Sequence, residues 1–292
     1  MEKKKSNKKF HFNIFLGIGF VLLLIYTISL FVPFAWALLT SFKNRIDFVL
    51  DPVGFPKHFE FANYKLAFEK LFVAVGQEKV YLAELLVNSV VYATLAAFML
   101  TFTPCITAYA CSRFRFKLGK IIYLVALVTF FLPIVGNLPS QLQMVRELNI
   151  FDSLIGLVIL KGHFNGLYFF IFYGAFQGLP KDYEDAAYID GASRFAVLTK
   201  INLPLMRNTI AAVFILCFVT CWNEYTTPML FLPSFPTVSY GLYKFQFSTD
   251  QQTVTVPLQM TACIIVIIPI FVMFMFFKNK MMGNITVGGI KG

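Results

Sequence analysis

Asp185-Ala186-Ala187-Tyr188-Ile189-Asp190-Gly191-Ala192, continued at Ile201-Asn202-Leu203-Pro204, is a polar, small-residue stretch between two apolar runs of membrane-crossing length. A loop that merely joined two spans would tolerate almost any hydrophilic sequence. Here Ala186, Ala187, Gly191 and Ala192 supply small side chains where two short helices can cross or a partner groove can close over them. Gly191 also admits a turn with positive φ that other residues resist. Leu203-Pro204 is placed to stop the second short helix and set its angle to the apolar run that follows. The stretch therefore reads as a rigid helix–turn–helix knob, with a carboxylate at Asp185 or Glu184 to pair with a basic residue of another chain. Truncating one member of such a desolvated interfacial pair costs about 2–5 kcal/mol. The plainer alternative is a solvated connector built from helix-forming alanines.

Outward from that stretch the chain is a membrane sequence. Of its 292 residues 58% are hydrophobic and 14% charged, an apolar share above and a charged share below those of soluble domains. A hydrocarbon core of about 30 Å takes roughly 20 helical residues to cross. Six stretches of that order occur, at about 13–39, 85–110, 121–138, 153–177, 209–232 and 258–277. They are continuously apolar and lack the two-residue alternation of barrel strands. The expected fold is an all-α membrane protein of six transmembrane helices with a cytoplasmic helical coupling loop.

A net charge of +10 raises the question of a nucleic-acid partner, and the placement of the charges answers it. With the N-terminus inside, the inner segments hold sixteen basic residues, including Lys3, Lys4, Lys5, Lys8, Lys9, Arg113, Arg115, Lys117, Lys120, Lys181, Arg194, Lys200 and Arg207, against five acidic ones. The outer segments hold nine basic and ten acidic residues. This asymmetry is the positive-inside signature, placing both termini in the cytoplasm, and it makes lipid, not nucleic acid, the partner of the charge. The run from Ile14 to Leu39 exceeds the 7–15-residue core of a signal peptide and reads as an uncleaved first span. Cys105, Cys111, Cys217, Cys221 and Cys263 lie in or beside spans without a CxxC pair, which supports neither a disulfide framework nor a zinc site.

The first outer segment, 40–84, has an irregular start at Asp51-Pro52, Gly54 and Phe55-Pro56. Phe61 to Leu71 then carries apolar residues near helical spacing, a short amphipathic helix over the outer face that either shields an entrance or acts as a spacer. The last outer segment, 233–257, holds the polar run from Ser248 to Thr253 and is long enough to suggest a function.

The spacing Asp185-Ala-Ala, three residues, Gly191, nine residues, Ile201, one residue, Leu203-Pro204 resembles the EAA loop of bacterial ABC importer permeases. With Pro180-Lys-Asp-Tyr-Glu-Asp upstream, Ile189-Asp-Gly-Ala192, Trp222-Asn223-Glu224 and the terminal Gly288-Gly-Ile-Lys-Gly292, the chain is similar to the smaller, MalG-like permease of maltose-type carbohydrate importers. Two positions depart from the family pattern: Asp185 stands where Glu is usual, one methylene shorter, and Asn208 where Pro is common. The resemblance implies one transmembrane domain over 1–292 with core spans at 13–277, a coupling loop at 180–210, extracellular loops at 40–84 and 233–257 and a cytoplasmic tail at 278–292. It implies a bacterial cell-membrane location, and as ATPase-coupling residues Glu184, Asp185, Ala186, Ala187, Asp190, Gly191, Leu203 and Pro204. The partners it implies are a second, MalF-like permease, two ATPase subunits and an extracellular sugar-binding protein, with a sugar or oligosaccharide as substrate. Loop 233–257 resembles the segment that reaches into the binding protein, and the glycine-rich tail one that docks on the ATPases.

No G-x4-GK[ST] phosphate loop is present, so no cofactor is assigned to this chain, and ATP and Mg belong to a separate ATPase. His11, His58 and His163 are scattered, and no nucleophile or metal motif is visible, which points to a transport subunit and not an enzyme. Glu224 is the acidic residue inside an expected span, and intramembrane carboxylates are costly enough to suggest function. It either faces a translocation path together with Asn223 or is a structural hydrogen-bond node. Asn88, Ser89, Asn137, Gln141, Gln143 and Asn165 are further candidates to line a path for a hydroxyl-rich solute. Arg146 and Lys161 keep an anionic solute open. An ATP-independent secondary transporter or channel, or the same architecture importing a non-sugar solute, is the alternative reading.

Overall fold

The computed structural model describes residues 14–114, 116–132, 136–247 and 254–282. The N-terminal lysines, Arg115, the run 248–253 and the tail from 283, with its Gly288-Gly-Ile-Lys-Gly292, lie outside the described residues. Contacts divide the chain into two units, one of residues 1–67 with 252–264 and one of residues 68–251 with 265–292.

The first unit contains α1 (Ile14–Ser41), α2 (Arg45–Leu50), most of α3 (Ala62–Lys70) and the start of α15 (Val256–Met282). The apolar side chains of α1 are exposed along most of its length, as suits a helix whose surroundings are hydrocarbon. Its end is held by a polar knot. Asn63 donates to the carbonyls of Ser41 (2.9 Å) and Lys43 (2.8 Å), Thr261 donates to Ser41 O (3.1 Å), and buried Lys43 donates to Asp51 O (2.6 Å). These bonds answer the carbonyls that a helix terminus leaves without intrahelical partners. The expected amphipathic helix at 61–71 is α3. Just before the irregular stretch at 51–56 stands α2, capped by Asn44, whose side chain accepts from Asp47 N at 2.8 Å.

The second unit is built around α4 (Leu82–Arg113). It is preceded by an antiparallel hairpin, β1 (Phe72–Val75) and β2 (Glu78–Tyr81), paired Phe72 with Tyr81 through Val75 with Glu78. The remaining helices are α5 (Lys117–Phe131), α6 (Leu138–Glu147), α7 (Leu154–Leu160), α8 (Leu167–Gln177), α9 (Asp182–Ile189), α10 (Arg194–Val197), α11 (Leu203–Leu205), α12 (Arg207–Asn223), α13 (Thr226–Phe231) and α14 (Val238–Gln246), with α15 as the last. Helix α4 packs against both α8 and α12. Ala93, Ala96, Ala97 and Ala108 of α4 are fully buried, and small residues at such spacing let helix backbones approach closely inside a membrane. Phe169, Phe172 and Phe176 of α8 are equally buried, and Phe176 meets Tyr109 of α4 edge-on at 5.4 Å.

Three of the described helical stretches are individually long and apolar enough to cross a membrane, Leu16–Ser41, Leu82–Arg113 and Val256–Lys278. Arg194–Leu205 with Arg207–Asn223, bent by 72° at the break between them, adds a fourth if the pair counts as one span. The stretch expected as one span at 153–177 is two helices, α7 and α8, separated at 161–166. Gly166 there takes a φ of +108°, and a Cβ on Gly162 would stand 2.8 Å from Met99. The positive φ at Gly166 needs glycine, while the neighbour of Gly162 is the flexible end of a methionine that can move aside. The stretch expected at 209–232 is likewise broken, between α12 and α13 at Glu224. Segment 233–257, expected as a loop, contains the helix α14, whose Val238, Tyr240 and Phe245 are buried. Asn88 donates to Pro236 O (3.1 Å) and Ser89 accepts from Val238 N (2.6 Å), so both α4 side chains hold this segment down.

Candidate functional site

Two places in the second unit gather the polar residues singled out from sequence. The first is the segment after α8. Helix α9 has Asp182, Glu184 and Asp185 in its first turn, where the positive end of the helix dipole favours carboxylates. It ends on Gly191, with φ +81°. Ala192 N donates to Ala187 O at 2.9 Å and Gly191 N to Tyr188 O at 3.1 Å. This pair of bonds is the Schellman closure, which needs a left-handed residue at the Gly191 position. No heavy atom lies within 4 Å of a Cβ built on Gly191, so the glycine serves the backbone conformation and not close packing. Ser193 then caps α10 by accepting from Ala196 N at 3.2 Å.

The chain continues through a single π-helical turn, Leu198–Asn202, into α11. Leu203 N donates to Leu198 O across that turn. Pro204 has no N–H to offer Lys200 and its ring excludes a regular α-turn there, and a widened turn accommodates it. Leu203-Pro204 was expected to end the short helix. The stop falls two residues later, at Met206, where the 72° bend into α12 occurs.

Of the coupling candidates, Asp185, Ala186, Asp190, Gly191 and Pro204 are exposed and Ala187 and Leu203 half-buried. Glu184 is buried, with its Oε1 2.9 Å from Nε of Arg113 in the last turn of α4. The pair is an ionic contact and not an aligned hydrogen bond, since neither of these atoms has a partner in hydrogen-bond geometry. Arg113 Nη2 also donates to Leu179 O at 3.1 Å. Glu184 and Asp185, adjacent in sequence, thus differ in surroundings, the first buried against Arg113 of α4 and the second exposed. Around Asp185 the segment exposes Tyr183 (57%), Ile189 (86%) and Phe195 (74%). Sequence reasoning missed these three and missed Arg113 as an anchor. Isolated large apolar residues in an otherwise polar loop were the available signal.

The second place is Glu224, the residue between α12 and α13. Lys161, between α7 and α8, contacts both its oxygens, at 2.9 Å and 3.2 Å. Tyr92 of α4 donates to Oε2 at 3.2 Å, and Thr227 donates to Oε1. Two helix breaks and the central helix therefore meet on one carboxylate. Asn223 points elsewhere, exposed, its side chain bonded to Val219 O of its own helix at 2.9 Å. A cavity of about 200 Å³ adjoins the node, lined by Gln141, Lys161, His163 and Thr227 together with Phe231 and Met144. Gln141 thus comes beside Lys161, whereas Gln143 bonds Glu147 on its own helix at 2.9 Å. Lys161 is neutralised by Glu224, and Arg146 lies over the Phe151 ring at 5.2 Å.

Comparison with known proteins agrees with this architecture. The family model described as "Binding-protein-dependent transport system inner membrane component" matches residues 81–280. The chain is similar to the probable starch degradation products transport system permease protein AmyC of Thermoanaerobacterium thermosulfurigenes, 29% identical over 89% of this chain and 91% of that protein. It is also similar to the trehalose/maltose transport system permease protein MalG of Thermococcus litoralis, 29% identical over 96% of this chain and 97% of that protein. A crystal structure of a bacterial ABC transporter involved in import of the acidic polysaccharide alginate shares the fold, with a TM-score of 0.75 and 21% identity, covering 96% of this chain and 99% of that one. The helix–turn–helix after α8, the central α4 and the broken apolar spans thus belong to a multi-pass membrane transport subunit, not an enzyme, and the chain is a member of the binding-protein-dependent transport system inner membrane component family.

Proposed function

We propose that the chain is the permease subunit of an ATP-driven, binding-protein-dependent carbohydrate importer, and that it forms the solute pathway with a second permease. The observation that carries this reading is the segment 180–210: a helix pair turned by Gly191, tied to α4 through Arg113 and Glu184, and presenting Asp185 with Ile189 and Phe195. In this reading Asp185, Ala186, Ala187, Asp190 and Gly191 enter a groove of a separate ATPase that uses ATP and Mg. Glu184 transmits the push to α4, while Leu203 and Pro204 hold the angle to α12. Rigid-body rotation of the spans then switches access from one side to the other.

The basic residues Arg113, Lys117, Lys120, Lys181, Arg194, Lys200 and Arg207 cluster in the segments flanking this loop, which supports a cytoplasmic placement and, with six crossings, both termini inside a bacterial cell membrane. The six crossings in this reading are α1, α4, α5 with its continuation, α7 with α8, α12 with α13, and α15, all in one transmembrane domain. A carbohydrate substrate is supported by the relatives, whose names assign them to the transport of starch degradation products and of trehalose and maltose. In this reading Asn223 borders the path, Glu224 either borders it or serves as the hydrogen-bond node that holds Lys161, Tyr92 and Thr227, and an extracellular sugar-binding protein delivers the solute.

Affinity purification in mild detergent from native membranes tests this. Recovery of a P-loop ATPase and a second permease is expected, with binding-protein-stimulated ATP hydrolysis that Asp185→Lys abolishes while leaving the assembly intact. Purified chain that moves solute down an ion gradient with no ATPase present overturns it.

A further inference from the structure

We propose that the second unit carries a binding site for an anionic phospholipid at the Arg207 end of α12. Two cavities meet there and share the Arg207 side chain. One, of about 360 Å³, is an apolar slot between α4, α12 and α15, walled by Phe98, Phe102, Ile210, Phe214 and Phe277. Phe98 and Phe102 stack at 5.3 Å to form one wall. The other, of about 460 Å³, is polar and lies toward the preceding helical segment, where Lys200 and Arg207 line it together with Tyr183 and Asn208. Neither cation has a hydrogen bond or ion pair among the described residues, and no acidic residue lines either cavity. Two neighbouring arginines are engaged elsewhere: Arg113 is held by Glu184, and Arg194 lies over the Phe114 ring at 5.3 Å.

An apolar slot beside a two-cation chamber, with Arg207 lining both at the start of an apolar helix, matches the chemistry of one molecule type. An acyl chain removes the phenylalanine faces from water, and a phosphate meets the guanidinium and ammonium groups. The helix dipole of α12, with its positive end at Arg207, adds to the attraction for the phosphate. A free anion satisfies the chamber and leaves the slot empty, while a neutral lipid fills the slot and leaves two cations unanswered. Because Tyr183, Lys200 and Pro204 wall the chamber, the bound headgroup braces the segment 182–205 against the end of α12. The site needs only that Arg207 sit at a membrane surface, so it stands apart from the transport direction and from the identity of the solute.

The test uses the full-length chain, purified with its co-assembled subunits into nanodiscs of phosphatidylcholine doped with phosphatidylglycerol. Lipid retained through a delipidating wash is quantified by mass spectrometry. Retention of phosphatidylglycerol over phosphatidylcholine is expected, weakened roughly thirtyfold in Lys200→Gln/Arg207→Gln, the weight of two surface cations on an anionic headgroup. Ala211→Trp, which fills the slot and leaves both cations, is expected to release the lipid as well, and Arg207→Lys to keep it. Equal retention of the two lipids, a double variant that holds phosphatidylglycerol as the parent does, or displacement by inorganic phosphate alone overturns the proposal. So does a cross-link from Phe214→Cys to another protein chain in the assembled complex, which would mean the slot is covered by protein.

Discussion

Arg113 and Glu184 stand 2.9 Å apart in a nearly dry environment, their side chains 3% and 10% exposed, and so join the end of the longest apolar helix to the first turn of α9. A buried pair of this kind is costly to break from one side, because the remaining charge stays in a poorly solvated place. Arg113→Ala or Glu184→Leu is expected to lower stability by about 3–5 kcal/mol, whereas Arg113→Met with Glu184→Leu loses much less. Thermal unfolding of the purified single and double variants checks this, and a double variant as unstable as the sum of the singles would count against the pair.

Gly191 and Gly178 separate conformation from space. Gly191 has φ +81° with nothing near its would-be Cβ, and Gly178 has φ −75° with only ordinary contacts to backbone oxygens at 3.5 and 3.6 Å. Gly191→Ala is expected to cost about 1–2 kcal/mol through left-handed strain. Gly178→Ala is expected to be neutral or to stabilise by about 0.4–1 kcal/mol. Amide exchange over 182–197 reads the first directly: faster exchange in Gly191→Ala and unchanged exchange in Gly178→Ala.

The Lys161–Glu224 contact predicts strong coupling in a double-mutant cycle. Lys161→Met leaves Glu224 with Tyr92 and Thr227 as donors, and Glu224→Gln leaves Lys161 without a counter-charge. An interaction energy of about 0.5–3 kcal/mol between the two substitutions is expected. Asn223→Ala, at an exposed side chain bonded to its own helix, is expected to leave stability unchanged, so a fall in solute uptake in that variant would isolate a role in the pathway.

The turn after α2 carries a pH dependence. Gly54 N donates to Asp51 Oδ1 at 2.8 Å and Val53 N at 3.2 Å. The bond from Gly54 is the leading cause that lowers the Asp51 pKa below its ordinary 3.8. A depressed carboxylate contributes order above the unfolded pKa and loses it as pH falls through the folded one. The turn is therefore expected to hold at neutral pH and to loosen only in acid below the usual carboxylate range. Gly54→Ala, whose Cβ would stand 2.0 Å from Asp51 Oδ2, is expected to loosen it at neutral pH too. Limited proteolysis of this segment across a pH series distinguishes the two cases.

Some of this molecule was plain from one-dimensional pattern. The apolar runs at 13–39, 85–110 and 258–277 became long helices because their apolar length exceeds what any soluble segment needs. The turn at Gly191 was readable because a backbone constraint is local and needs no partner. The breaks at 161–166 and at Glu224 were harder to see. Hydropathy averages over a window, and a helix interrupted by Gly166 or by one carboxylate still averages as apolar. The hairpin before α4 and the helix Val238–Gln246 were missed because their stability comes from burial against α4, through residues such as Leu85 and Val73 around Gly241, and not from intrinsic propensity.

The chain's own order of residues determined its solvent, its apolar crossings, its charge asymmetry and the small-residue turn that marks its family, because each depends on composition or on neighbours a few residues apart. Only the tertiary structure decided that Glu184 is buried against Arg113 while Asp185 is exposed, that Lys161 and Glu224 neutralise each other 63 positions apart in the chain, and that Lys200 and Arg207 line one chamber. Charges are paired by distance in space, and that distance is set by how α4, α8 and α12 pack, which no local pattern encodes.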